Sequence, residues 1–305
     1  MSTDSPDPAA VVELAARHGL ALAGDGITFN EAGLDYRVAF AHEDADVEKQ
    51  WVLRMPRRDD VSAKLGEERA ILDFVRPQLP VAVPEWRIQT PELIAYPLLP
   101  GFPGLTLDDD GEPVWHFDIA SEVHADSLAR LIAALHGLDP AQAKAAGIPR
   151  EHPEDVRARW RADLHRVCAE FEVSEDLLGG WRAWLADDGL WPTETVFTHG
   201  ELYPAHLLLD EREEIVSVLD WTTAKVSDPA IDFAFHCMIS SADIFERTVA
   251  LYTELTGRTE PRLAERCAAL LSAGPLNYGI YALVTGNPDH RAAAAEMLKP
   301  SDAAE

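Results

Sequence analysis

Glu201 and His206 are separated by four residues in the run His199-Gly200-Glu201-Leu202-Tyr203-Pro204-Ala205-His206, and Asp220 closes an apolar run at 215–219 shortly after. A carboxylate able to accept a proton, followed by two side chains able to ligate a metal, suits transfer of a phosphoryl group to a hydroxyl. One group orients the attacking hydroxyl and takes its proton, and the others hold divalent cations against the phosphates. Other chemistries lack their equipment. The sequence has no G-x-S-x-G elbow, no H-E-x-x-H, no G-x-x-x-x-G-K-[ST] and no full G-x-G-x-x-G. Its 3 cysteines, Cys168, Cys237 and Cys267, lie too far apart in sequence for a zinc spacing or a disulfide framework.

These residues need a scaffold. Asp7 and Pro8 read as an N-cap and a first-turn proline, and Val11, Val12, Leu14 and Ala15 give a short opening helix that stops at Gly19. Runs at 27–29, 36–40 and 51–55, broken by turns at 30–33 and 42–48, predict an antiparallel meander. From 62 to 78 the helical spacing of Leu65, Ile71, Leu72, Val75 and Leu79 places one helix on that sheet. Pro80, Pro84, Pro91, Pro97, Pro100 and Pro103 then punctuate an extended, stiff connector with strand candidates at 86–89 and 93–96. Leu128, Leu131, Ile132 and Leu135 mark a helix closing at Gly137, followed by helices at 156–171 and 176–185. Short β-like runs at 196–198, 207–209 and 215–219 come next, before helices at 232–257, 263–281 and 291–298. The expected architecture is α+β and two-lobed: a small antiparallel-sheet lobe over 1–95, a hinge over 96–104 and a larger, mostly helical lobe over 105–305, with a cleft at the hinge.

The separation of Glu201 from His206 equals that of Asp from Asn in the kinase catalytic loop H-R-D-x-x-x-x-N, and Asp220 at a strand end takes the place of Asp in D-F-G. The loop resembles the H-G-D-x-x-x-x-N loop of aminoglycoside phosphotransferases and related antibiotic kinases, which share the protein-kinase-like fold. A final His, with Asp220-Trp221-Thr222-Thr223-Ala224 and Ser227-Asp228-Pro229-Ala230-Ile231-Asp232-Phe233-Ala234 downstream, makes the chain similar to the macrolide 2′-phosphotransferases in particular. The runs at 30–38 and 51–58 are similar to that family's first strands.

The resemblance implies an antibiotic-resistance kinase that moves the γ-phosphoryl group of GTP to the 2′-hydroxyl of a macrolide's desosamine sugar, with two Mg²⁺ ions. ATP stays open as a donor. By the same resemblance Glu201 is the catalytic base, His206 and Asp220 hold the metal, and Arg54 stands where kinases place their β3 Lys, with Glu68 as its partner and Glu67 an open alternative. The nucleotide would meet the turn at 30–34, with Asn30, Gly33 and Leu34 over the phosphates. The backbone of the hinge from Tyr96 through Pro97 and Leu98 to Leu99 would face the guanine edge, and Ile94 and Leu219 would flank the ring. The acceptor would meet Glu201, Asp232, Phe233, Asn277, Tyr278 and Tyr281. Several of these residues also have a plainer reading: His199 as a buried loop-fixing histidine, Asp228 as a helix cap, Asp232 as a brace for the loop, and Tyr278, Tyr281 and Trp221 as core aromatics. Three residues depart from the usual pattern, with Glu201 for Asp, Arg54 for Lys, and an imidazole at His206 where magnesium usually meets oxygen.

Composition narrows the partners. With 26 Lys+Arg against 53 Asp+Glu the net charge is −27, which repels nucleic-acid phosphates and anionic lipid and suits a cationic acceptor such as an amino sugar. No apolar run reaches the roughly 20 residues of a membrane span, and the acidic start lacks the pattern of a secretory signal. A cytoplasmic monomer with no nucleic-acid or membrane partner is expected. Two rival readings stand beside the macrolide one: a kinase of another small hydroxyl acceptor (an aminoglycoside, choline or a sugar), and a catalytically silent nucleotide binder.

Overall fold

The computed structural model describes residues 7–30, 35–58, 65–108 and 110–299. Gly33, Leu34 and the first residues of the helix expected from 62 lie outside them. Helix α1 (Pro8–Arg17) starts where Asp7 Oδ1 accepts from the amide of Ala9 at 2.9 Å. Strands β1 (Thr28–Asn30), β2 (Tyr36–Glu43), β3 (Asp46–Pro56), β4 (Ile88–Gln89) and β5 (Ile94–Pro97) form a five-stranded antiparallel sheet in the order β1-β2-β3-β5-β4. The turn expected at 42–48 is tighter, since Glu43 pairs with Asp46.

Side-chain alternation divides the sheet. Leu53, Leu93, Ala95 and Ala39 pack with Val11 and Ala15 of α1, whereas Tyr36, Val52, Ile94 and Tyr96 pack with Leu65, Ile71, Leu72 and Val75 of helix α2 (Leu65–Val75). Arg54 lies two residues beyond Val52 and therefore shares the α2 side.

The proline-rich stretch is not a free-standing connector. Leu98 donates its amide to Gln50 O at 2.8 Å, and β6 (Phe102–Pro103) joins a second sheet of order β11-β10-β6. A hairpin follows, β7 (Leu105–Leu107) with β8 (Pro113–Trp115); then come β9 (Val196–Thr198), β10 (Leu207–Leu209), β11 (Ile215–Val218) and β12 (Lys225–Ser227), the last paired with β9. Gly101 makes this seam possible: it has φ +95°, and a Cβ there would lie 2.8 Å from Leu209 O. Upstream, Ala82 donates to Val216 O and accepts from the amide of Val218, both at 2.9 Å, so the two lobes are stitched together at more than the hinge.

Most of the second lobe is helical: α3 (Glu122–His136), α4 (Pro140–Ala145), α5 (Pro153–Glu170), α6 (Glu175–Ala186), α7 (Ala234–Ile239), α8 (Ala242–Thr256), α9 (Leu263–Ser272), α10 (Gly274–Thr285) and α11 (Pro288–Leu298). Two single helices expected from the sequence are broken. The 232–257 run divides into a 3₁₀ turn (Pro229–Phe233), α7 and α8, because Ser241 Oγ accepts from the amide of Ile244 and starts a new helix. The 263–281 run bends by 44° between α9 and α10, where Gly274-Pro275 interrupts the amide ladder. No single helix among the described residues is long and apolar enough to cross a membrane.

One core runs from α2 into the helical lobe, with the rings of Phe74 and Phe197 5.6 Å apart, and a second gathers Trp160, Trp181 and Trp184 with Leu276 and Leu298. Burying a side chain the size of Phe197 is worth about 1.5–3 kcal/mol. Such burial anchors β9, the strand that leads into the loop at 199–206.

Candidate active site

All three residues of β9 are buried, and the chain leaves it into His199-Gly200-Glu201. Asp232 catches that exit. Its Oδ2 accepts from the amide of His199 at 3.1 Å and its Oδ1 from the amide of Gly200 at 2.8 Å. Gly200 has φ +88° and a Cβ there would lie 2.9 Å from Thr223 O, so a side chain would push the loop off its neighbour. The His199 ring then ties two loops together. Its Nε2–H donates to Leu219 O at 3.0 Å and its Nδ1 accepts from the amide of Glu201 at 3.3 Å, the tautomer being fixed by those partners. Burial holds its pKa below the usual histidine range, so the ring bridges the loops as a neutral group.

The two loops thus bring Glu201, His206 and Asp220 together. His206 donates Nδ1–H to Glu201 O at 3.1 Å, and its Nε2 faces Asp220, 3.9 Å from Oδ2. Asp220 has φ 56°, an uncommon left-handed conformation for a side-chain-bearing residue and one often kept at functional sites. Leu219 donates its amide to His206 O at 2.8 Å, and Thr222 Oγ1 donates to Asp220 Oδ1 at 2.6 Å. Burial pushes the Asp220 carboxyl up, but the His206 imidazole, the Arg54 guanidinium and the Thr222 hydroxyl outweigh it and hold the group below its usual range. Glu201 goes the other way: burial, helped by the charge of Asp220, raises it despite His206. One carboxyl is thereby held below and the other above its usual range.

A divalent cation fits this donor set. An imidazole whose Nδ1–H is held by a backbone carbonyl and whose Nε2 faces a carboxylate has the orientation of a metal-ligating histidine. The pair supplies two donors; no cluster of three or more His, Cys, Asp or Glu ligands occurs among the described residues.

The sheet lobe contributes Arg54. Its Nη1 donates to Glu68 Oε1 at 2.7 Å, and its guanidinium stacks 3.9 Å from the centroid of Tyr36. Glu68 is buried in phase with Leu65, Leu72 and Val75, whereas Glu67 is exposed, so Glu68 is the partner. Burial pushes the Glu68 carboxyl up and Arg54 opposes it, while the charges around Arg54 outweigh its own burial and keep it cationic. The charge of Arg54 in turn reaches the Asp220 carboxyl and lowers it.

The other expected residues divide. Asn30 ends β1, with Gly33 and Leu34 outside the described residues. Tyr96 pairs with Val52 in the sheet and its buried hydroxyl is pushed up to about 12 by burial, while Pro97 and Leu98 are exposed. With the Leu98 amide bonded to Gln50, antiparallel alternation turns the Pro97 carbonyl and the Leu99 amide away from β3, within the stretch expected to offer backbone groups. Ile94 is fully buried between sheet and α2 and has no surface to flank a base, whereas Leu219 keeps part of its surface.

On the acceptor side, Asp232 and Phe233 are corrections. Asp232 is 1% exposed with both oxygens taken by the loop amides, and Oδ2 also meets His136 Nε2 at 3.3 Å; it braces the loop. Phe233 is fully buried against Tyr252 and Phe245, its ring turned into the core by the 3₁₀ turn. Asp228 caps that turn through Ala230 and pairs with Arg266. Trp221 is fully buried and edge-on to His199. Asn277 is exposed on α10, while Tyr278 and Tyr281 stack with centroids 6.0 Å apart beside His290, with Tyr278 Oη 2.9 Å from its Nδ1.

Two contributors were missed. His136 bonds Asp232 on one side and Tyr252 Oη, 3.0 Å away, on the other; its signal was a polar residue four places after Ile132 on the buried face of α3. Tyr203, two residues beyond Glu201, packs on Phe235 of α7 with ring centroids 5.0 Å apart.

The model of the phosphotransferase enzyme family matches residues 26–266. The chain is 36% identical over 291 residues to the uncharacterized protein YcbJ of Bacillus subtilis (strain 168), covering 94% of both chains. Among solved structures it is similar to macrolide 2′-phosphotransferase MphH from Brachybacterium faecium, as apoenzyme, at 52% identity and TM-score 0.89, over 98% of this chain and 99% of that one. A macrolide 2′-phosphotransferase type I matches at 38% identity and TM-score 0.89, over 99% and 100%. A GDP and kanamycin complex of an aminoglycoside 2″-phosphotransferase shares the fold, with TM-score 0.72 at 17% identity over 95% and 96%. The two-lobed α+β architecture is therefore that of the aminoglycoside phosphotransferases, a kinase-like fold, and the chain belongs to the phosphotransferase enzyme family.

Proposed function

We propose that this chain transfers the γ-phosphoryl group of GTP to the 2′-hydroxyl of the desosamine sugar of macrolide antibiotics, as an antibiotic-resistance kinase. What carries the reading is identity of 52% and 38% over nearly the whole length of two macrolide 2′-phosphotransferases. Chains that bind aminoglycosides share only the fold at this distance.

Residues 1–95 would form the nucleotide lobe, 96–104 the hinge and 105–305 the acceptor lobe. Glu201 orients the acceptor hydroxyl and takes its proton as the oxygen bonds to the γ-phosphorus, while the bond to the β–γ bridging oxygen breaks and GDP leaves. The Glu201 carboxylate accepts no hydrogen bond among the described residues, so it is available to the hydroxyl. Arg54, aimed by Glu68 and by the face of Tyr36, takes the α/β-phosphates, and its planar fork can bind them in a bidentate way. His206 and Asp220 would hold Mg²⁺, two ions by family resemblance, which supplies charge neutralisation on the phosphates. The Pro97 carbonyl and the Leu99 amide would meet the guanine edge, with Leu219 beneath the ring. Asp232 serves through position alone, by setting the backbone from which Glu201 extends. The protein is proposed to work as a cytoplasmic monomer.

Mass spectrometry of erythromycin, kanamycin and choline, each incubated with the protein, Mg²⁺ and either GTP or ATP, tests the reading. One phosphate added to erythromycin alone, faster with GTP, is expected. Phosphate on kanamycin or choline instead would replace the acceptor class, and nucleotide binding with no phosphorylated acceptor would favour a silent binder.

A further inference from the structure

The acceptor reading has an electrostatic gap. An amino sugar bearing its dimethylammonium group on the carbon next to the attacking hydroxyl brings a cation to the door of Glu201. Asp232, the carboxylate expected to meet that side of the site, spends both oxygens on the loop amides and has almost no exposed surface. The base itself has to remain available for the hydroxyl proton.

What does stand beside Glu201 is aromatic. Tyr203 is two residues along the same loop, half-buried, and packs on Phe235 of α7 at 5.0 Å between centroids with a 54° tilt. The other neighbour of its ring is His206, 6.0 Å away and edge-on, so Tyr203 lies between the proposed base and metal side and the first turn of α7. Phe235 is also half-buried, in contrast to its sequence neighbours Ala234 and His236, which are buried. Met238, three residues on and therefore on the same helix face, is 54% exposed. An apolar, partly aromatic ridge thus starts next to the base and runs along α7. The charge of Glu201 is felt at the Tyr203 hydroxyl, which reports the same closeness from the electrostatic side.

We infer that Tyr203 and Phe235 form the wall that recognises the acceptor's ammonium group, by cation–π attraction, and so select a cationic amino sugar over a neutral one. The inference rests on the macrolide reading above. An ammonium held on aromatic faces is attracted without a counter-charge, which suits a site where a second free carboxylate beside Glu201 would compete for the hydroxyl proton. The methyl groups of a dimethylammonium spread its charge over apolar surface that packs on the rings, and the ridge toward Met238 offers the macrolactone its first contact.

The test compares erythromycin with its neutral N-demethyl-N-acetyl derivative as acceptors for the wild type and for Tyr203→Leu, Tyr203→Phe and Phe235→Leu. Expected for Tyr203→Leu is a fall of about tenfold in kcat/KM for erythromycin, carried by KM, and less than about twofold for the neutral acceptor, with Tyr203→Phe close to wild type. Phe235→Leu should show the same selectivity to a smaller degree, and it guards against a folding defect confined to the loop variant. Equal losses on both acceptors would overturn the inference while leaving the macrolide reading in place. A wild type that phosphorylates neither acceptor would overturn both.

Discussion

Glu68 in the sheet lobe and Asp232 in the helical lobe are both buried carboxylates that position the site from behind, and they do so by different physics. Glu68 holds a charge: it fixes the guanidinium of Arg54 at 2.7 Å, and each ion compensates the burial of the other. Asp232 holds a shape: it gathers two backbone amides and an imidazole, and the group it positions, Glu201, is one it does not touch. In the proposed reaction a side chain that meets a mobile phosphate can be aimed by one partner, whereas a base that must sit within a fraction of an ångström of a hydroxyl needs its whole backbone fixed.

The contrast can be broken at either end. The largest effect is expected for Glu68→Ala, which leaves Arg54 as an uncompensated buried cation; stability should fall by about 3–5 kcal/mol in denaturant unfolding, with the loss in activity appearing in KM for the nucleotide. Asp232→Asn comes next. Its amide keeps one acceptor but turns a donor toward the second loop N–H, costing about 1–3 kcal/mol, and steady-state kinetics should show kcat falling with nucleotide KM nearly unchanged. If both variants raised nucleotide KM alike, the two carboxylates would not differ in the way described.

The pH profile sharpens the picture at Glu201. Its carboxyl is raised by burial and by Asp220, and as the proposed base it has to be ionised to accept a proton. As pH falls, kcat/KM should therefore begin to drop above the usual glutamate range, near pH 4.3 for a free side chain. An acid limb at or below that value would contradict the raised base. The smallest effect belongs to Glu67→Gln, one residue from the critical Glu68 but solvent-exposed, which should stay within about 0.5 kcal/mol of wild type in stability and leave the kinetics unchanged.

Residues at fixed spacing in one loop were the most legible part of the sequence. Glu201, His206 and Asp220 stand out because the proposed proton transfer and metal binding require those side-chain types in that order, and the meander of β1, β2 and β3 stands out because its β-prone runs are set apart by turn residues. Glu67 and Glu68 could not be separated until helix phase was referred to the sheet that α2 covers. Asp232 and Phe233 were misassigned for a related reason: polar-then-aromatic text at the start of a helix reads alike whether the pair faces a pocket or a core, and here the 3₁₀ turn begun by Asp228 rotates both inward. The pairing of β6 with β10 was out of reach, since two residues ending in proline carry no periodicity, and Gly101 shows its purpose only once Leu209 lies against it. The break at Pro275 was written in the sequence and passed over because apolar spacing continues across it. Tyr203 and Phe235 are far apart in sequence, and only the return of α7 to the loop brings them together.

The central claim is that Glu201, His206 and Asp220 act as one phosphoryl-transfer site on a macrolide. It is tested most directly by following the mass of erythromycin with GTP and Mg²⁺ in the presence of the wild type and of Asp220→Asn, a variant that tolerates the left-handed φ of 56° and so keeps the loop folded. The account predicts one phosphate added by the wild type and a rate at least about a hundredfold lower for the variant. An Asp220→Asn protein that phosphorylates erythromycin at the wild-type rate would contradict it.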